Sequence, residues 1–188
     1  GDTMEFADLD RFRLVVISHG DEALAAGQEG VGEALEEYVR EGGHVLLIGN
    51  APDTLFGRDL TGQPWIGTEA WTYASAAPPS TIAAPEHPWL AHLDPQAEYY
   101  WLAGTQLLAR PTTAEVLIGS DDAIYLSRND YGEGWCAFLA RGPFPYTRDD
   151  VGPMREAQIA MLRAIVRDAA AIEGRITNAS DVAATMTS

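Results

Sequence analysis

Residues 13–52, RLVVISHGDEALAAGQEGVGEALEEYVREGGHVLLIGNAP, decide the fold. Leu14, Val15, Val16 and Ile17 form an unbroken apolar run rich in β-branched residues, and Val45, Leu46, Leu47 and Ile48 form a second. Runs of this length, apolar on both sides, suit parallel strands covered by helices on each face. Between them Val31, Leu35, Tyr38 and Val39 recur at helical spacing, with Glu33, Glu36, Glu37 and Arg40 opposite, so the intervening segment is a helix with one buried stripe. Gly42 and Gly43 end it, because glycine accepts the left-handed conformation that helix C-termini favour. The unit is strand, helix, strand, with a right-handed crossover expected.

In open α/β sheets ligands bind outside the carboxyl ends of the strands. That places two loops first as candidates for chemistry, Ser18-His19-Gly20-Asp21 and Gly49-Asn50-Ala51-Pro52-Asp53. A histidine beside carboxylates can serve as base and orienter, or hold a divalent metal with a third ligand. No His-x-His or His-x-x-x-His spacing supports a metal site, and no cofactor motif is present. Small polar residues in such loops also serve as plain turn formers, with Asp53 capping a turn.

The chain has 188 residues, enough for one well-buried domain, with 46% hydrophobic and 21% charged residues. Twenty-eight acidic side chains against twelve basic ones give a net charge of -16, which argues against broad contact with nucleic acid or an anionic membrane. One cysteine, Cys136, precludes an internal disulfide, and neither a membrane-spanning run nor a signal-peptide pattern is visible. A cytoplasmic location is the expectation.

Further along, residues 1–12 read as a short strand or extended approach. Residues 54–85 are rich in Gly and Pro and carry Trp65, Ile66, Trp71 and Tyr73, which reads as an irregular excursion whose aromatics either pack on the sheet or stack on a sugar. His87-Pro88-Trp89-Leu90 reads as a turn with a short helical piece. Residues 99–102 and 106–109 read as a hairpin. Val116-Leu117-Ile118, residues 123–127 and residues 135–140 read as three strands, closely spaced and therefore an antiparallel extension of the parallel sheet. A helix is expected over residues 153–171, with Met154, Met161, Leu162, Ile165 and Val166 on its buried face. The domain is expected to span residues 1–173. The tail, residues 174–188, is small and polar, with too little to bury to order itself alone.

Taken together, DRFRLVVISHG, the helix ending YVREGGHVLLIGNAP, HPWLAHL, RNDYGEGWCAFLARGPFP and the closing MREAQIAMLRAIVRDAA resemble the class I glutamine amidotransferase-like domains, and most of all their trehalose-utilisation, ThuA-like branch. The resemblance implies a flavodoxin-like α/β fold, an open sheet mainly parallel with antiparallel edge strands, here lacking the first βα unit. It also implies a link to carbohydrate metabolism. Amidotransferases of this class place a nucleophilic cysteine on an elbow after the central strand and a His-x-Glu pair after a later one; here the elbow reads Gly49-Asn50-Ala51-Pro52 and the later position Arg141-Gly142-Pro143-Phe144. Thiol-dependent glutamine hydrolysis is therefore not expected, and Cys136 reads as a buried structural thiol.

What remains at the carboxyl edge is Ser18, His19, Gly20 and Asp21, with Asn50 and Asp53, joined by Arg141 and Tyr146 from the late strand. The first expectation is a non-amidotransferase accessory or binding domain that takes a sugar-derived small molecule there. The alternatives are an oligomerisation module, comparable to the amidotransferase-like domain that forms trimers in some β-galactosidases, and a hydrolase-like enzyme using His19 and Asp21. A homo-oligomer or a partner chain is expected. His44, at the far end of its strand, and His87, before a proline, read as structural.

Overall fold

The computed structural model describes residues 6–17, 31–49, 63–74, 81–95, 106–120, 123–140 and 152–170. After a 3-10 turn at Phe6–Arg11, the chain forms β1 (Leu14–Ile17), α1 (Val31–Arg40), β2 (His44–Ile48), β3 (Thr68–Ala74), a second 3-10 turn (Pro88–Leu90), β4 (Gln106–Pro111), β5 (Glu115–Ser120), β6 (Ala123–Tyr131), β7 (Gly134–Leu139) and α2 (Gly152–Ala170). The opening segment is thus a 3-10 turn where a strand or extended run is expected. Among the described residues its leucine, Leu9, is buried in the core, which explains why a tight turn is preferred there.

Five strands make one mixed sheet in the order β1-β2-β7-β6-β5, and β3 and β4 form a separate antiparallel pair. β1 pairs in parallel with β2, and β2 in parallel with β7, aligning Val45 with Cys136 and Ile48 with Leu139. β6 runs against both β7 and β5, so four of the five strands point the same way. This is the mainly parallel α/β sheet with an antiparallel extension that the sequence leads one to expect. Its middle strand, β7, is buried along its whole length, as a strand covered on both faces must be.

Alternation along the strands sorts the layers. Arg128 and Asp130 oppose Ala137 and Trp135, so all four share a face with His44, which lies opposite Trp135 on β2. That face carries α2 and the Pro88–Leu90 turn, since Asp168 bonds Arg128 and Trp89 packs on Trp135. The other face carries α1, whose Leu35, Tyr38 and Val39 are buried, and Tyr131 donates from its hydroxyl to Glu36 there at 2.5 Å. On α2, Met161, Ile165 and Ala169 form the buried stripe at four-residue spacing.

The β3–β4 pair corrects one expectation. Residues 68–74 form a strand inside the stretch read as irregular, with a shift of register between Ala70 and Thr72, and residues 106–111 pair with it; residues 99–102, the expected hairpin partner of 106–109, lie outside the described residues. TEAWTYA mixes threonine and alanine with aromatics, so its strand character comes from the partner strand more than from an apolar pattern. Trp65 and Ile66, just before β3, are fully buried, so these two members of the aromatic stretch pack in the core. Buried Asn129 clamps that turn to β6: its amide nitrogen donates to the carbonyls of Pro64 and Trp65 at 2.9 and 3.0 Å, and its oxygen accepts from Thr113 Oγ1 at 2.9 Å. Gly67, at φ +72°, lies so close that a Cβ would strike the Asn129 side chain.

Candidate functional site at the carboxyl edge

The carboxyl ends of β1, β2 and β7 stand side by side. Ile17 lies opposite Leu47, Ile48 opposite Leu139, and Gly49 N–H donates to the Leu139 carbonyl at 2.8 Å. Adjacent strands are about 4.8 Å apart, so the three chain exits fall within roughly 10 Å along one edge. Ile17, Gly49 and Ala140 are the last described residues before the three candidate segments. The candidates themselves, Ser18, His19, Gly20, Asp21, Asn50, Asp53, Arg141 and Tyr146, lie outside the described residues.

Cys136 lies inside the sheet, set back from this edge. It is the third of the six residues of β7, pairs with Val45, and is buried three residues short of the strand's carboxyl end. Burial alone pushes its thiol well above the usual cysteine range, and its sulfur only grazes the Ala137 carbonyl at 3.9 Å. A thiol held this way is neutral and shielded, whereas a nucleophilic cysteine needs an exposed, stabilised thiolate. Since the sequence has one cysteine, no thiol is left to act as nucleophile.

At the amino edge the structure assembles a cluster that spacing did not reveal. His44 stacks on Trp135 with ring centroids 4.6 Å apart and planes 11° from parallel; Trp89 meets Trp135 edge to face at 4.9 Å. The Arg128 guanidinium lies 5.1 Å from the Trp89 ring and 5.4 Å from the Trp135 ring, and donates to Asp130 and Asp168 at 2.8 Å each. Both carboxylates accept from Arg128, while Trp89 Nε1 and His44 Nδ1 are buried without a hydrogen-bond partner among the described residues; the cluster is a brace between β6, β7 and α2. Burial holds His44 below its ordinary pKa, and does the same for His87, with Arg128 adding to the effect on both. His87 caps the Pro88–Leu90 turn, its Nδ1 accepting from Trp89 N–H at 3.3 Å. Both histidines thus hold structural places. Positions 44, 89, 128, 135 and 168 are too far apart in sequence for any local pattern to have linked them.

Two fragments that carry the resemblance also meet at the amino edge. The Gly42-Gly43 end of α1 lies against the Tyr131-Gly132-Glu133-Gly134 turn, and a Cβ on Gly134 would strike the Gly43 carbonyl. Among the described residues no group of three or more His, Cys, Asp or Glu side chains is placed to hold a metal, and no helix is long and apolar enough to cross a membrane.

No family model matches the chain, and no curated protein does. Solved structures do. A cytoplasmic protein from Salmonella typhimurium LT2 superimposes with a TM-score of 0.64 at 14% identity, over 89% of this chain and 76% of the other. A protein described as ThuA-like, from Bacteroides uniformis, gives 0.56 at 14% identity over 87% and 75%. The cold-adapted β-galactosidase from Rahnella sp. R3 gives 0.57 at 19% identity over 86% of this chain, which spans only 23% of that enzyme. At these identities the likeness is one of fold, and the chain has the α/β fold that its ThuA-like sequence features imply.

Proposed function

We propose that this chain is a carbohydrate-linked accessory domain that binds a sugar-derived small molecule at the carboxyl edge of its sheet and performs no thiol-dependent amidotransfer. The observation that carries the reading is the position of Cys136, the one thiol in the chain, buried inside β7 three residues short of its carboxyl end. The convergence of three parallel strand ends supports the choice of edge. The fold likeness to part of a β-galactosidase supports the carbohydrate link. In this reading Ser18, His19, Gly20, Asn50, Asp53, Arg141 and Tyr146 line the site, the protein works in the cytoplasm, and it acts without nucleic acid or membrane.

Calorimetric titration with a panel of neutral mono- and disaccharides tests it. Saturable binding that is lost in Asn50→Ala and Asp53→Ala supports the reading. Absence of heat for every sugar at millimolar concentration sinks it. Retained binding in both variants moves the site elsewhere.

A second reading, an oligomerisation module within a larger glycosidase-type assembly, is favoured by the small share of the β-galactosidase that this chain spans. Light scattering on the eluting protein at low micromolar concentration decides it, since a monomer throughout removes its support.

A further inference from the structure

β5 ends the sheet, and its outer rim is held by a strap from earlier in the chain. Ile82 lies opposite Ile118 in an antiparallel bridge. Gly119 N–H donates to the Thr81 carbonyl at 2.9 Å, and the Leu117 carbonyl accepts from Ala83 and Ala84 N–H at 2.9 and 3.3 Å. Leu117 is skipped in the register between β5 and β6, where a bulge falls, and its carbonyl serves the strap. The strap is lightly built. Ile82 and Ala84 are only partly buried, and Thr81 and Ala83 are exposed. Segments with so few buried contacts open locally, well before the core does.

His87 fixes the far end of the strap. Its N–H donates to the Ala84 carbonyl at 3.0 Å, and its ring caps the Pro88–Leu90 turn, Nδ1 accepting from Trp89 N–H at 3.3 Å. Beyond the cap Trp89, Leu90 and Leu93 are buried, so His87 joins the strap to an anchor in the core. An imidazole nitrogen accepts only while it carries no proton, so the cap requires the neutral ring with its hydrogen on Nε2. A proton on Nδ1 would set two donors against each other. The indole beside it offers the cation little, because the rings of His87 and Trp89 meet edge to face at 4.9 Å and the Arg128 guanidinium already lies 5.1 Å from the same indole. The charged groups that face His87 among the described residues are Arg128 and Asp130 from β6, Glu115 from β5 and Asp168 from α2. Arg128 already holds both aspartates at 2.8 Å.

We propose that residues 81–90 form an acid-released strap: neutral His87 caps the Pro88–Leu90 turn and keeps residues 81–84 on the rim of β5, and a proton taken up at Nδ1 releases them. Burial, with Arg128 adding to it, holds His87 below its ordinary pKa of 6.5 while the strap is closed, against the opposing pull of Glu115, Asp168 and Asp130. The open strap gives the ring back its ordinary value, so the open form binds the extra proton and its share grows as pH falls below 6.5. Release uncovers the Leu117 carbonyl and Gly119 N–H on the sheet rim, where a strand can add.

Amide hydrogen exchange resolved by residue, and corrected for the intrinsic rate at each pH, tests the proposal on the full chain and on its His87→Asn and His44→Gln variants. The N–H groups of Ala83 and Gly119 bridge strap and rim. Between about pH 7 and pH 5 their protection is expected to fall about ten-fold, and to stay at least about ten-fold below that of Phe138 in the inner strand β7. Asparagine caps a helical turn through its side-chain oxygen at any of these pH values, so His87→Asn should abolish the fall at Ala83 and Gly119. His44→Gln leaves the cap intact and should keep it. A fall that persists in His87→Asn, or is absent from the unsubstituted chain, overturns the proposal. Protection at Ala83 and Gly119 equal to that of Phe138 at pH 5 also overturns it, because the strap then opens only with the whole domain.

Discussion

Arg128 Nη1 donates to Asp168 Oδ2 at 2.8 Å, and this bond fastens the last turn of α2 to the antiparallel part of the sheet. Arg128 is the better guarded partner, with 22% of its side chain exposed against 38% for Asp168, and its guanidinium also covers two indole rings. Arg128→Ala removes the ion pair, the ring contacts and the packing of the stem together, and should cost about 2–3 kcal/mol in urea unfolding. Asp168→Ala removes only the half-exposed pair and should cost about 1 kcal/mol or less. Equal losses in the two variants would show that the ring contacts contribute nothing.

His44 and His87 make stability depend on acid. Both are held below their ordinary pKa of 6.5 in the folded state, so on acidification the unfolded chain takes up protons first. Their contribution is complete above pH 6.5 and is lost as pH falls below it, until the lower folded values are reached. The groups that face them are Arg128, Asp168, Asp130, Arg13 and Glu115. Urea midpoints measured from about pH 8 to pH 5 should decline below pH 6.5, and His44→Gln should flatten that decline by removing one of the two titrating groups. An unchanged slope would place the acid dependence elsewhere.

Gly134 has no room for a side chain, because the atom that a Cβ would strike is the backbone carbonyl of Gly43 at the end of α1. Gly134→Ala should therefore cost about 3 kcal/mol or more. Gly49→Ala is the comparison: among the described residues nothing lies within 4 Å of its Cβ position, and its φ of +65° resists, so about 1 kcal/mol is expected. Thermal unfolding of both variants ranks them, and a reversed order would contradict the packing described.

Cys136 should be inert to Ellman's reagent in the native protein and react at once in denaturant, since burial keeps its thiol protonated and covered. Cys136→Ala should retain any sugar binding, because this residue is buried inside β7, three residues short of the carboxyl end at which the candidate site is placed. Loss of binding in a folded Cys136→Ala protein would show that the site had been assigned to the wrong edge.

The parallel core was legible in the sequence because its signals are local. LVVI and VLLI are apolar without interruption, the helix between them has one stripe, and Gly42 takes the positive φ of +98° that ends it. The long final helix was legible for the same reason. β3 was not, since threonine and alanine leave no pattern and its strand is defined by pairing with residues some forty positions later. Open-sheet topology points to the carboxyl edge, where the ends of β1, β2 and β7 stand side by side, while the candidate residues themselves lie outside the described residues. The amino-edge brace was invisible because Arg128, Trp89 and Trp135 come together only once β6, β7 and the Pro88–Leu90 turn have packed.

The order in which the chain is made differs from the order in which the sheet is laid out. β2 needs β7 as its inner neighbour, and His44 meets Trp135 only after about ninety further residues have been synthesised. A nascent chain leaving the ribosome therefore carries β2 paired with β1 on one side and lacking β7 on the other for several seconds of translation. Expression of this protein should accordingly respond to chaperone supply and to slow codons upstream of β7, and pieces that stop short of residue 134 should be cleared by proteases.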